Sequence, residues 1–255
     1  MAPLSRRQAL ILMGAVLAGS GKAQEPLRIR LAANGHFAPF NYLDPSGRFV
    51  GILVDALNWL GSQSGIVFDY VDVPWPRGQQ WVRLGQLDGF CTTETIERRQ
   101  FVKFVPTPIY EDRAAVLHRA GELADISSRG LGDLAGLRLG APRGSGWSKE
   151  ILAGLEVIWV PDISNLLAMI AAGRLDASIG GEGELKAALA AYPGKKSLAV
   201  SDFPAVPGGA FSLGLRKGLR DCDSIVARLD EAAQKLRESG EMRAIHDRYL
   251  QQRGG

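Results

Sequence analysis

The residues whose types and spacing point most directly to chemistry lie in the stretch Leu87–Arg98. A short apolar run leads into the hydroxyls of Thr92, Thr93 and Thr95. Arg98 follows three residues after Thr95, where a helix reads as starting. Hydroxyls, the unpaired N–H groups of a first helical turn and a guanidinium together make a seat for a small carboxylate. The competing reading gives Thr93 or Thr95 only a capping role and leaves Arg98 a solvated charge.

The elements that must position these residues alternate along the chain. Strands are expected at 27–33, 68–73, 88–91 and 113–118, with helices at 51–63 and 77–86. A second set follows, with strands at 138–141, 156–160 and 177–180 and helices at 147–152, 165–172 and 183–191. A strand at 211–216 and two helices at 224–239 and 241–251 close the chain, with Ser239-Gly240 as a stop between them. The second set echoes the first: Gly85-Gln-Leu-Asp88 parallels Gly173-Arg-Leu-Asp176. In each, a helix ends at Gly and an Asp leads into a strand, so Asp88 and Asp176 read as turn residues. This alternation implies α/β layers with mainly parallel sheets.

Composition narrows the partners. The 255 residues are 46% hydrophobic and 22% charged, which suits one large or two modest folded units. The net charge of +3 includes Arg6, Arg7 and Lys22. Without them 27 basic residues face 27 acidic ones, and no basic stripe marks a nucleic-acid partner. Ser5-Arg6-Arg7, the apolar run Ala9–Gly19 and the small residues to Ala23 read as an export signal over 1–23, similar to a twin-arginine signal and too short to span a bilayer. The product expected is a periplasmic protein with no stable membrane insertion. Cys91 and Cys222 read as two buried thiols, with a disulfide as the alternative.

Five runs together resemble the family-3 periplasmic solute-binding proteins, whose best-known members bind amino acids for ABC importers. They are Gly35–Phe40 with Asp44–Gly51 and Asp55; Gly85–Gly89 with Thr95, Arg98, Phe104, Pro108 and Tyr110; Asp133–Gly140; Gly173–Ala177; and Leu213–Lys217 with Ser239, Glu241, Ile245 and Tyr249. The resemblance covers essentially all of the mature chain. It implies a type II periplasmic binding protein fold: two α/β lobes, each a central mostly parallel sheet flanked by helices, with a ligand cleft between them. The implied division is 24–111 with 208–255 for one lobe and 112–207 for the other. It further implies a small-molecule ligand, a permease partner, a monomer and no cofactor.

Carried over residue by residue, Arg98 matches the arginine that clamps a ligand carboxylate, and Thr92 and Thr93 match hydroxyl donors beside it. Phe37 matches an aromatic wall, Asn34 a polar neighbour, and Ser145 a hydroxyl in the loop opening a helix of the second lobe. Trp75-Pro76-Arg77 resembles a run in a divergent branch of the family, where Trp75 would stack on a ligand and Arg77 add a second positive charge. With the cleft open, the head of Arg98 would be solvated. In amino-acid binders an acid holds the ligand's ammonium soon after the Gly-x-x-Asp-Ala run. Here that position is Gly181, with Glu182 one residue away. Either the chain shifts register and Glu182 serves, or the ligand has no ammonium.

No Ser-His-Asp order, metal-ligand spacing or phosphate loop is present, and His36, His118 and His246 are scattered, so no catalytic residue or metal is assigned. Two other roles use the same fold: a cyclohexadienyl or arogenate dehydratase built on Arg98, Arg77 and Glu182, and a sensor partner delivering ligand to a membrane receptor. Intact-mass measurement on protein recovered from the periplasm is expected to show loss of about the first 23 residues; a retained segment would refute the export signal.

Overall fold

The computed structural model describes residues 25–123 and 125–250. The export signal expected at 1–23 lies outside the described residues. In chain order the elements are β1 (Leu27–Ala33), β2 (His36–Phe37), β3 (Asn41–Leu43), β4 (Phe49–Val50), α1 (Ile52–Ser64), β5 (Ile66–Asp72), α2 (Trp75–Arg83), β6 (Gly89–Thr93), α3 (Ile96–Arg99), β7 (Val102–Phe104) and β8 (Tyr110–Asp112). Then come β9 (Ala114–Arg119), β10 (Leu139–Pro142), α4 (Gly146–Ile151), β11 (Val157–Val160), α5 (Ile163–Ala171), β12 (Ala177–Gly181), α6 (Glu182–Ala191), β13 (Leu198–Asp202), β14 (Gly209–Arg216), α7 (Cys222–Ser239) and α8 (Glu241–Leu250).

Two larger sheets organise these elements. One has the order β5-β1-β6-β14-β7, with β8 also on β14; the other has β11-β10-β12-β9-β13. The chain passes from the first sheet to the second across Arg113 and returns between β13 and β14. Parallel pairing holds for β5-β1-β6 and β11-β10-β12, joined by helical crossovers. The strands next to the crossings run antiparallel: β14 on β6, β7 and β8, and β9 on β12 and β13. Each sheet is therefore mixed. The helix expected to start near Thr95 is the four-residue α3, whereas the short strands β7, β8 and β13 and the hairpin sheet β2-β3-β4 were not anticipated from the sequence. All are too short to show a clear period.

Both faces of each sheet carry a core. On β1, Ile29 and Leu31 pack under α1 and α7, while Ala32 faces the opposite cluster with Val82, Phe90 and Phe104. On β9, Val116 faces Leu139 and Phe203, and Leu117 faces Leu166 and Leu185. Period-2 alternation of apolar residues thus holds helices on both sides of each sheet. α1 buries Ile52, Leu53, Ala56, Leu57 and Leu60 and ends at the left-handed Gly65. α8 is clasped to it: Tyr249 donates its hydroxyl hydrogen to Asp55 at 3.0 Å, and Arg248 donates to the same carboxylate at 2.5 Å.

Asp88 and Asp176 do the same job in the two sheets. Asp88 accepts the backbone N–H of Arg30 at 3.0 Å, and Asp176 that of Arg138 at 2.8 Å. Each joins its loop to a strand, at the middle of β1 and just before β10. Arg216 adds an ion pair to Asp88, and Arg138 and Arg119 pair with Asp176, whose carboxyl lies well below the usual range. Cys91 and Cys222 are free thiols, half-buried and buried.

The crossing leaves no room beside Asp112. A Cβ built on Gly208 would overlap the Asp112 carbonyl oxygen, where β8 lies along β14. Gly208→Ala is expected to force these strands apart and lower stability by about 1–3 kcal/mol in chemical denaturation. An unchanged midpoint would show that this junction is slack.

Candidate functional site

Arg98 is the centre of the site. Thr95 caps α3, its Oγ1 accepting the Arg98 N–H at 3.2 Å, so the capping role is real. The solvated-charge reading is not: Arg98 is only 3% exposed. Its Nη1 donates to the Thr93 carbonyl at 2.7 Å and to Thr93 Oγ1 at 3.2 Å, and its Nε donates to Gln79 Oε1 at 3.0 Å. The guanidinium carbon lies 5.3 Å from the centre of the Trp75 ring. Burial pulls the Arg98 pKa down to about 10, with the Glu97 and Glu150 charges opposing, so it stays a cation at neutral pH.

The second sheet's loops reach this cation directly. Nη2 of Arg98 donates to the Gly144 carbonyl at 3.3 Å, and Trp75 Nε1 donates to the same oxygen at 3.1 Å. Gly144 has φ +83°, a conformation that suits glycine, in the tight loop before α4. Nearby, the Ile96 N–H donates to Glu150 Oε1 at 2.7 Å. The head expected in an open, solvated cleft is instead covered by the other lobe. A cavity of about 650 Å³ runs along this seam, lined by Arg83, Glu97, Arg98, Arg143, Ser145 and Lys149 among others. Its size suits a small-molecule ligand.

Four expected site residues meet here: Trp75, Thr93, Arg98 and Ser145. Trp75 also packs edge-on against Phe90 at 5.5 Å. Ser145 caps α4, its Oγ accepting the Ser148 N–H at 3.2 Å. Thr92 is buried one position along β6, opposite Ser212. Arg77 is exposed and outside the cavity, its side chain making no hydrogen bond or ion pair to a described residue; Arg83, Arg143 and Lys149 bring the further positive charge instead. Asn34 spends its Oδ1 on the His36 N–H at 3.1 Å. Phe37 packs on Phe40 and Phe211, ring centres 5.0 and 6.1 Å away. Glu182 opens α6 with its carboxylate held by Arg113 at 2.8 Å and by Lys186. Burial opposes its ionisation, but those two partners outweigh it, and its carboxyl sits below the usual range.

Sequence reasoning missed Gln79, Asp112 and Glu184. Gln79 was findable, since it stands four residues after Trp75 on one helix face. Asp112 was not. It lies 6% exposed at the crossing, where the Gly183 N–H donates to both its oxygens at 3.1 and 3.2 Å. Burial pushes its pKa up to about 6, helped by the Glu182 charge and opposed by that N–H. Burial, with Asp112 adding, pushes Glu184 up to about 7.

The chain belongs to the bacterial extracellular solute-binding proteins, family 3, whose pattern matches residues 29–252. Family members are binding proteins. The chain is 27% identical over 237 residues to a probable histidine-binding protein of Neisseria gonorrhoeae, covering 89% of this chain and 84% of that one. Among solved structures it resembles an amino acid ABC transporter substrate-binding protein from Streptococcus pneumoniae bound to L-arginine (23% identity, TM-score 0.71, 89% and 95% covered). It also resembles a histidine kinase sensor domain similar to periplasmic binding proteins (19% identity, TM-score 0.75, 89% and 97% covered). These likenesses show the fold, a two-lobed periplasmic binding protein.

Asp112 carries a stability signature. Its carboxyl has a raised pKa, about 6 against about 3.9 in an unfolded chain, so the folded state binds more protons between these values. Its contribution is best below about pH 4 and is lost as pH rises toward 6. Asp112→Asn keeps an acceptor for Gly183 and removes the buried charge. It is expected to stabilise ligand-free protein by about 2 kcal/mol at pH 7.5 and to change little near pH 4. Thermal melts at both pH values check this; destabilisation at pH 7.5 would overturn it.

Proposed function

We propose that this protein captures an amino acid or related small carboxylate in the periplasm and presents it to an ABC importer, acting as a monomer after losing residues 1–23. The proposed lobes are 24–111 with 208–255 and 112–207. The ligand carboxylate would be held by Arg98, with Thr92, Thr93 and Ser145 as hydroxyl donors and Trp75 and Phe37 as aromatic walls. Asn34, Arg77 and Glu182 complete the proposed set at its margins. The solute-binding family, the histidine-binding relative and the arginine-bound neighbour support an amino-acid ligand.

One observation carries the reading: a buried guanidinium, fixed by its own lobe, offers Nη2 to a carbonyl of the other lobe. A planar fork so placed can grip both oxygens of a carboxylate, which accepts more strongly than a neutral carbonyl. Ligand would displace the Gly144 carbonyl from Arg98 and bind between the lobes. A group of this size needs no chemistry from the protein, only closure of a hinge.

The test is a thermal-shift panel of the twenty amino acids and their dicarboxylate relatives, followed by calorimetry. Arg98→Ala is expected to weaken the best ligand by about 2–5 kcal/mol, roughly 30-fold to several thousand-fold, and Arg98→Lys to recover part. Because the Thr93 carbonyl and Gln79 lose their donor, Arg98→Ala should also lower the ligand-free melting temperature, at a cost of about 1–3 kcal/mol. Binding within threefold of wild type would refute the clamp.

A further inference from the structure

We infer that Asp112 supplies the carboxylate that receives a ligand ammonium group, from the strand leading out of the first sheet, in place of the acid that Gly181 does not carry. This rests on the amino-acid reading above and narrows it to ligands with a free amine.

The space decides the matter first. A Cβ built on Gly181 would overlap Asp112 Oδ2. The Asp112 carboxylate therefore stands where a side chain from position 181 would begin, and an acid at 181 and Asp112 exclude one another. Glycine at 181 is thus the counterpart of an acid brought in from β8.

The charges point the same way. Glu182, the sequence alternative, already has Arg113 and Lys186 as partners. Asp112 is more than nine-tenths buried and accepts from the Gly183 N–H, and among the described residues no lysine or arginine side chain forms an ion pair with it, although the neighbouring Arg113 charge favours its ionised form. A buried carboxylate without a counter-cation is costly, and a ligand ammonium placed there offsets that cost.

The backbone of β14 connects this carboxylate to the surroundings of Arg98. Thr93 Oγ1 accepts from Arg98 Nη1, and Thr93 Cγ2 lies 3.1 Å from a Cβ built on Gly209, the residue paired with Asp112 across β8 and β14. Gly209 thus joins the end of β8, which carries Asp112, to Thr93, an acceptor of Arg98 Nη1. A Cβ on Gly183 would lie 3.0 Å from Phe40 Cζ and 3.4 Å from Asp112 Oδ2, so the carboxylate sits where the two lobes meet.

Calorimetry on the full mature chain with L-histidine and L-arginine, each beside its deaminated acid (3-(imidazol-4-yl)propionate and 5-guanidinopentanoate), tests this. Wild type should prefer each bound amino acid over its deaminated acid. Asp112→Asn should weaken the amino acid about 30-fold or more and leave the deaminated acid within threefold. The double variant Asp112→Ala with Gly181→Asp returns an acid to the vacated space and should recover much of the loss, which a merely structural role for Asp112 would not allow. Amino-acid binding that survives Asp112→Asn within threefold, or a double variant that recovers nothing, overturns the inference and leaves the proposed function standing. Failure of wild type to bind either amino acid overturns the inference too; if no member of the wider panel binds, the proposed function falls with it.

Discussion

The arrangement depends on one buried charge. Arg98 is taken out of water, which disfavours its cationic form, and the surroundings answer with oriented acceptors. Each acceptor comes from a different element: Thr93 from the end of β6, Gln79 from α2, and Gly144 from the loop before α4. That makes the guanidinium a shared part. It ties α2 to β6 within one lobe and reaches across to the other. A lobe that moved away would leave one of its donors to water or to a ligand, so on the proposed reading the same contact would set both closure and recognition.

The hinge end of the seam has the opposite sign. Asp112, Glu182 and Glu184 gather where β8 ends and α6 begins, and only Glu182 is held by basic side chains. Antiparallel pairing lies next to both crossings, since β8 and β14, and β9 and β12, are hydrogen-bonded neighbours. A cation at one end and an acidic cluster at the other make a polarised seam, and on the proposed reading such a field would favour a ligand carrying both charges.

Repetition explains how so small a chain builds two such lobes. The Asp88 and Asp176 clasps use the same bond, a carboxylate accepting a backbone N–H in or beside a strand, and each Asp ends the same Gly-x-Leu-Asp run. What differs between the lobes is the segments that face the seam, and the candidate site residues come from loops, strand ends and the short or opening turns of helices. That division suits a scaffold whose packing is conserved in form while its ligand contacts vary.

The sequence by itself determined the alternation of strands and helices, the glycine stops, the paired turn aspartates and the candidate clamp at Arg98. These rest on local rules: apolar periodicity, capping, and the types of residue that hold a carboxylate. It left Arg98 as either a ligand or a surface charge, because burial is a property of what packs around a side chain. Only the tertiary structure decided that Arg98 is covered by Gly144, that Arg77 stays outside while Arg83, Arg143 and Lys149 face the cavity, and that Glu182 is spent on Arg113. Asp112 filling the space beside Gly181 joins positions far apart in the chain. No local pattern encodes such a contact, since it exists only once β8 and β12 have been brought together by the crossing.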